Sequence, residues 1–354
     1  MTIKEIARLA NVSPGTVDRV IHNRGSVNPE KRKVIEEIIE RYDFRPNVFA
    51  SNLKLNKTVT VGYLTPLLST EDGYWNDVYK GVLRAVEDFD EHIFRLKTFE
   101  YDRTRAGSFS IQAERMISSG ITAALIVAKN VDEAQTFFSV HSDLQYVLID
   151  SAVPGANPMS VIGQNPERGG RLAARIMSML APGVARYLTF SFMGSQISRQ
   201  RSDGFIDYFK DRKDIEIVNI QLDSVDEIMD YLSTSYSRNG DFDGIFSPCF
   251  AGHHFGNYLN AEENRVKIIS YDLNKPNREA LEKGRINCIL SQKPASQGYS
   301  GVYQLYKNLI LQQDIDSFIE ILVDVYFSEN LPKLSEGDGT SARSIPYVED
   351  FWIY

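Results

Sequence analysis

Cysteine is almost missing from this 354-residue chain: Cys249 and Cys288 are the only two, so no disulfide framework is indicated and both read as reduced, buried thiols. No run approaches the roughly 18 apolar residues that a membrane span needs, so no membrane partner is expected. Met1-Thr2-Ile3-Lys4-Glu5 is followed by no apolar stretch of a secretory signal, and a cytoplasmic location is expected. Catalytic signatures are lacking as well. The chain has no phosphate-binding G-x-x-x-x-G-K-[ST] loop, no G-x-S-x-G elbow and no H-E-x-x-H, and its carboxylates are scattered with no legible nucleophile–base pair. No enzyme, no catalytic residue and no cofactor is therefore expected. His253-His254 beside Cys249 raises a metal site, but neighbours on a helix point apart and cannot easily hold one ion, so no metal is expected.

What is present is a chain that is 43% hydrophobic, enough for real cores and long enough for two or three domains. Its net charge of −8 is unevenly divided. Residues 1–57 hold 11 Lys/Arg and 7 Asp/Glu, a net of +4, whereas the remainder holds 28 and 40, a net of −12. A basic head on an acidic body suits a molecule in which only the head meets a polyanion.

The head reads as three short helices. Thr2-Ile3-Lys4-Glu5 is a capping box, and Ile3, Ile6, Ala7 and Ala10 repeat at helical spacing behind it. Asn11-Val12 makes a turn; Ser13-Pro14 caps and starts the next helix, whose inner stripe is Val17, Val20 and Ile21. After a loop at His22-Asn23-Arg24-Gly25, Asn28-Pro29 starts a longer helix to about Tyr42, with Val34, Ile35, Ile38 and Ile39 expected to be buried. Two helices joined by a tight turn, with a third behind, can pack as a helix-turn-helix or as a plain bundle.

The residue string decides between them. Thr2-Ile3-Lys4-Glu5-Ile6-Ala7-Arg8-Leu9-Ala10-Asn11-Val12-Ser13, continued by Thr16-Val17-Asp18-Arg19-Val20-Ile21, resembles the headpiece of the lactose/galactose repressor family. Tyr42-Asp43-Phe44-Arg45-Pro46-Asn47-Val48-Phe49-Ala50-Ser51-Asn52-Leu53 resembles that family's hinge segment, Y-x-x-R-P-N-x-x-A-x-x-L. The resemblance implies a sequence-specific regulator, expected to be a repressor, bound as a homodimer to double-stranded operator DNA and controlled by a sugar or sugar derivative. It implies that the second helix reads the major groove, with Pro14, Gly15 and Arg19 at base-reading positions and Arg19 able to pair with a guanine edge. Thr2, Ser13, Thr16, His22 and Asn23 complete the implied DNA-facing set of the head. Pro14 and Gly15 offer no side-chain donor, a departure from relatives that carry polar groups there. Asp18, where many relatives have serine, either accepts from a cytosine amino group or pairs with Arg19 or Arg24. Residues 47–55 would be a hinge helix, with Asn47 and Ala50 at the DNA and Leu53 wedged between base pairs of the minor groove. The other reading of Leu53 packs it on the body's first strand. Nine residues are too short for a stable isolated helix.

From Thr58 the chain alternates apolar runs, expected as strands at 59–64, 123–127, 146–149, 186–192, 215–220, 244–247, 268–271 and 287–291, with amphipathic stretches at 78–89, 110–118, 168–180 and 204–210. The fold class that follows is α/β, a doubly wound parallel sheet. The run is too long for one ordinary sheet, so two lobes are expected, like those of periplasmic sugar-binding proteins, behind the three-helix headpiece. Domains are placed at 1–45 (headpiece), 46–57 (hinge and linker), 58–333 (ligand-binding and dimerisation body) and 334–354 (tail). The tail carries a flexible Glu336-Gly337-Asp338-Gly339 link and an aromatic end from Pro346 to Tyr354 with no assignable docking place.

Ligands of such folds bind at the carboxyl ends of the strands. Asp272 ends one strand and Gln292 follows another. Arg199 lies in Arg199-Gln200-Arg201-Ser202-Asp203-Gly204-Phe205, similar to the family's A-R-x-R-x-x-G-F, whose first arginine is taken as the ligand contact. Tyr74 and Trp75 stand where relatives place aromatics against a sugar face. Each has a plainer reading: a helix cap for Asp272, a pair with Asp203 for Arg199, core for Trp75. Phe250-Ala251 replaces the family's Asn-Asp pair, so the pocket is expected to be more apolar or its ligand not a simple hexose. Lys129 faces the same cleft and either meets an anionic ligand or is solvated. A solute-binding protein without regulatory role is the alternative reading.

Overall fold

The computed structural model describes residues 3–21, 27–42, 58–69, 73–89, 94–236, 241–260 and 266–332, apart from the side chains of Ile3 and Asp18. The expected hinge helix, Thr2, the Glu5–Thr2 capping box, His22, Asn23, Asn47, Ala50, Leu53, the Asp18 pairing and the tail lie outside these residues.

Helical spacing of apolar residues builds α1 (Ile3–Leu9), α2 (Pro14–Ile21) and α3 (Pro29–Arg41). Their small core is Ile6, Ala7, Val17, Val20 and Ile35. Asn11, at φ 49°, makes the left-handed turn after α1, a conformation that asparagine tolerates better than most residues. Ser13 caps α2, accepting a hydrogen bond at Oγ from the Thr16 amide at 3.2 Å, and Asn28 caps α3 through the amides of Glu30 and Lys31. Val34, expected in the core, is 43% exposed. The stripe of Ile35, Ile38 and Ile39 faces inward, and a residue one step before it is turned about 100° away.

The body is two lobes. In the first, β1 (Val59–Pro66), α4 (Tyr74–Asp88), β2 (Phe94–Tyr101), α5 (Ser108–Ser118), β3 (Ala123–Val127), α6 (Val131–Val140), β4 (Tyr146–Asp150) and β5 (Ser160–Gly163) follow in order. The second holds α7 (Pro166–Leu180), β6 (Ala185–Phe192), α8 (Gln196–Tyr208), β7 (Ile215–Leu222), α9 (Asp226–Tyr231), β8 (Gly244–Ser247), α10 (Gly252–Leu259), β9 (Lys267–Tyr271), α11 (Lys275–Glu282) and β10 (Cys288–Ser291). The chain returns through α12 (Pro294–Leu309) and β11 (Phe318–Glu320) to the first lobe and ends at β12 (Asp324–Tyr326) in the second. The first sheet runs β11-β5-β4-β3-β1-β2, all parallel. The second runs β12-β10-β9-β8-β6-β7, parallel except for β12, which is antiparallel to β10. Central strands such as β3, Ala-Ala-Leu-Ile-Val, are buried throughout, as a sheet covered on both faces requires.

The chain passes between lobes after β5, after β10 and between β11 and β12. The three crossings touch. Gln164 donates to the Ser291 carbonyl at 3.4 Å, and the Ile321 amide to that of Gly163 at 2.8 Å. Each lobe also contains one helix pair in backbone contact. A Cβ added at Gly81 of α4 would sit 1.8 Å from the Ala295 carbonyl oxygen of α12, and one at Gly170 of α7 would sit 1.9 Å from that of Arg201 in α8. These contacts fix the rotation of α4, α8 and α12, the helices that carry much of the site.

The expected central strands are present, with boundaries moved by one or two residues. Strands β2, β5, β11 and β12 were not expected: β2 is an edge strand broken by Arg95, Lys97 and Glu100, β5 has only four residues, and β11 and β12 have three each and exist through pairing. Helix α4 starts at Tyr74, four residues earlier than expected, and α8 at Gln196, eight earlier.

Candidate functional site

Strand ends supply the site. The carboxyl ends of β2, β3 and β4 bring Arg103, Lys129 and Asp150, and those of β8, β9 and β10 bring Phe250, Asp272 and Gln292 to one cavity of about 330 Å³ between the lobes. That volume is at the small end of the range for ligand pockets, about 300–1,000 Å³. The first turn of α4 adds Tyr74 and Trp75, and α8 adds Ser198 and Arg201.

On the first lobe, Lys129 Nζ lies 2.7 Å from Asp150 Oδ2, a pair in which the carboxylate side chain is only 5% exposed. Asp150, the last residue of β4, holds φ 78°, a left-handed conformation that aspartate accepts. Tyr74 donates weakly to Asp150 at 3.5 Å and accepts from Gln297 Nε2 at 3.1 Å. Burial, reinforced by the carboxylates of Asp150 and Asp272, pushes the Tyr74 hydroxyl well above its ordinary pKa, so it stays protonated. Trp75 packs edge-on against Tyr74 with ring centroids 4.8 Å apart, and Lys129 lies 5.9 Å over the indole.

On the second lobe, Arg201 lies over the Tyr271 ring with its guanidinium carbon 3.7 Å from the centroid, and donates to the Pro248 carbonyl at 2.8 Å. The Tyr271 hydroxyl abuts Gly169, where an added Cβ would sit 2.0 Å from it, so α7 clamps the ring that supports Arg201. Asp272 accepts from Gln292 Nε2 at 2.6 Å, while Gln292 in turn receives Gln297 at its carbonyl, 3.0 Å away. A polar chain thus runs from Asp272 on one lobe through the crossing to Tyr74 and Asp150 on the other. Burial pushes the Cys249 thiol up to about 12, which keeps it from acting as a nucleophile near neutral pH.

Of the residues named from the sequence, Tyr74, Trp75, Lys129, Phe250, Asp272 and Gln292 line the cavity. Arg199 does not: it is exposed and outside the lining set, whereas Arg201 is 3% exposed and inside it. Two steps along a helix turn a side chain by about 200°, so the two arginines face opposite ways, and the packing of α8 on α7 selects the second. Asp272 does not cap the following helix, because Asn274 does so through the Asn277 amide. Asp150, Arg103 and Asn274 were missed. Asp150 obeys the same strand-end rule as Asp272, and the expected strand stopped one residue short of it. His253 Nδ1 lies 3.2 Å from both the Phe250 carbonyl and Asn277 Oδ1, and among the described residues no His/Cys/Asp/Glu group suits a metal.

On the headpiece, α2 turns Val17 and Val20 into the core and leaves Ser13, Pro14, Gly15 and Arg19 exposed. Arg19 Nε donates to the Gly15 carbonyl at 3.1 Å, and the Ser13 and Thr16 hydroxyls lie 2.9 Å apart.

A helix-turn-helix head joined to two parallel α/β lobes around a cleft defines a ligand-responsive DNA-binding regulator. Residues 2–47 match the bacterial regulatory proteins of the lacI family, and residues 62–313 match the periplasmic binding protein domain. Through its sensor body the chain belongs to the periplasmic binding protein domain family; it carries the helix-turn-helix region of the lacI family of bacterial regulatory proteins, and it is a transcription regulator. It is 28% identical over 285 residues to the ribose operon repressor of Lactococcus lactis, covering 77% of this chain and 80% of that protein. It is 39% identical over 87 residues to the HTH-type transcriptional regulator RegA of Clostridium acetobutylicum, a match that spans only 24% of RegA and 25% of this chain. A crystal structure described as a LacI transcriptional regulator from Bacteroides fragilis superposes with a TM-score of 0.69 at 23% identity, over 77% of this chain and 98% of that one.

Proposed function

We propose that the chain works as a homodimeric, cytoplasmic repressor that binds a pseudo-palindromic operator through residues 1–45 and 46–57 and senses a small neutral carbohydrate in the cleft of residues 58–333, with 334–354 as a separate tail. The cleft is the observation that carries the reading. Its charged lining holds three carboxylates, Asp77, Asp150 and Asp272, against three cations, Arg103, Lys129 and Arg201. With Lys129 already neutralised by Asp150 at 2.7 Å, the balance favours an uncharged polyol over an anion. The curated relatives are named as regulators, and no catalytic role is inferred.

On the DNA side, the exposed face of α2 supports Ser13, Pro14, Gly15, Thr16 and Arg19 as contacts; Thr2, His22, Asn23, Asn47, Ala50 and Leu53 rest on the family resemblance. The reading is tested by gel shift on the DNA upstream of the chain's own gene, with and without a panel of pentoses and hexoses. A specific complex that one sugar weakens supports it; a chain that binds sugar but no specific DNA would be a solute-binding protein. In the same assay Arg19→Ala is expected to cost about 1–3 kcal/mol on the specific site only. Equal loss on non-specific DNA would make Arg19 a phosphate contact.

A further inference from the structure

The two walls of the cavity differ in their apolar lining. The first-lobe wall presents the Lys129–Asp150 pair, Tyr74 and Arg103. On the second-lobe wall Asp272 accepts from Gln292 at 2.6 Å and Arg201 keeps a buried Nε without a hydrogen-bond partner, while Ser198 and Asn274 are occupied by the protein itself. Ser198 Oγ donates to the Ser195 carbonyl at 3.1 Å and accepts from the Phe192 amide at 3.1 Å. Asn274 Oδ1 takes the Asn277 amide at 2.9 Å while its Nδ2 donates to the Phe250 carbonyl at 3.3 Å. Arg201 is held by the Pro248 carbonyl and the Tyr271 ring. What this wall adds beyond them is apolar: Phe192, Ile197, Phe250 and Leu273 line it, none of them fully buried. Phe250 sits in the turn between β8 and α10, and its neighbour Ala251 is buried and has no polar side-chain atom.

Resting on the carbohydrate reading above, we infer that the effector is a 6-deoxyhexose-type sugar: a neutral pyranose that turns its hydroxyl edge to the first lobe and a methyl to the apolar wall around Phe250. A hydroxymethyl in place of the methyl brings a hydroxyl against Phe192, Ile197, Phe250 and Leu273, where it loses water without gaining a partner. A small group of this kind changes affinity by about tenfold to a hundredfold in an apolar pocket. The cavity volume of about 330 Å³ has room for one monosaccharide.

Calorimetric titration of the full-length protein with matched pairs tests this: L-rhamnose against L-mannose, L-fucose against L-galactose and D-fucose against D-galactose, beside a general panel of pentoses and hexoses. In at least one pair the deoxy sugar is expected to bind about tenfold or more tighter than its hydroxymethyl partner and tighter than any other panel sugar. Phe250→Asn should shrink that ratio to about threefold or less. Phe250→Leu, which keeps the wall apolar, should preserve it and guards against a change that merely unfolds the lobe. A panel hexose or pentose that binds as tightly as every deoxy sugar overturns the deoxy assignment and leaves the carbohydrate reading standing. Binding of no sugar at all overturns both.

Discussion

At the scale of the residue, the two arginines of α8 are the sharpest case. The sequence offers Arg199 and Arg201 with equal chemistry. Only Arg201 lines the cavity, held by the Pro248 carbonyl and stacked on Tyr271. Arg201→Lys is expected to weaken effector binding by about tenfold or more, because an ammonium cannot both stack as a plane and donate sideways. Arg199→Ala should leave the affinity unchanged, since its side chain is exposed outside the cavity. Titration calorimetry of both variants decides the matter, and the reverse ranking would return the contact to Arg199. The Lys129–Asp150 pair is similar in kind. A cation was legible as facing the cleft, but its partner stood on a different strand, so what neutralises it was not.

At the scale of the element, the helix pairs α4–α12 and α7–α8 hold the site in register by touching at bare backbone. Gly81→Ala places a methyl 1.8 Å from the Ala295 carbonyl oxygen, and a backbone atom cannot rotate aside. Overpacking of this kind costs about 1–3 kcal/mol, and the variant's urea midpoint is expected to fall accordingly, with the loss of effector affinity following from the displaced Tyr74. An unchanged midpoint would mean that α12 slides freely on α4. Helix α10 carries a different sensitivity. Burial lowers the pKa of His253 and His254 below the ordinary 6.5, with each ring 4.1 Å from the other. The folded lobe therefore favours the neutral rings, and the unfolded chain takes up protons first as the pH falls. Stability from this source is complete above about 6.5 and declines as acid is added below it. A melting-temperature profile from pH 7.5 to 5 should fall more steeply for the parent than for a variant with both His253→Gln and His254→Gln, and parallel profiles would count against it.

For the whole molecule, three touching crossings and one polar chain from Asp272 through Gln292 and Gln297 to Tyr74 join the lobes. A ligand that engages both walls is held by both lobes at once, and any effect on DNA must be reciprocal. If the effector weakens operator affinity by a given factor, saturating operator must weaken effector affinity by that same factor, with about 5–150-fold the usual span. Titrating effector into free protein and into the operator complex measures both arms. Unequal factors would show that an additional state, such as a change in oligomerisation, is being read.

Local chemistry determined much of this protein from its residues alone. The caps at Ser13 and Asn28, the apolar stripes of the head and the doubly buried central strands are short-range patterns, and they appear where the periodicity places them except at Val34, which is exposed. Six of seven expected cleft residues line one cavity because the carboxyl ends of parallel strands converge whatever the loops contain. Tertiary structure decided the rest. The three-residue strands β11 and β12 have no pattern of their own and exist because a neighbouring strand supplies their hydrogen bonds. Asp150 acquires its role from a left-handed turn and from Lys129, 21 residues earlier in the chain. Arg201 rather than Arg199 enters the site because Gly170 lets α8 settle on α7 at one rotation, and the angle between two packed helices is a property of their contact, not of either sequence read alone.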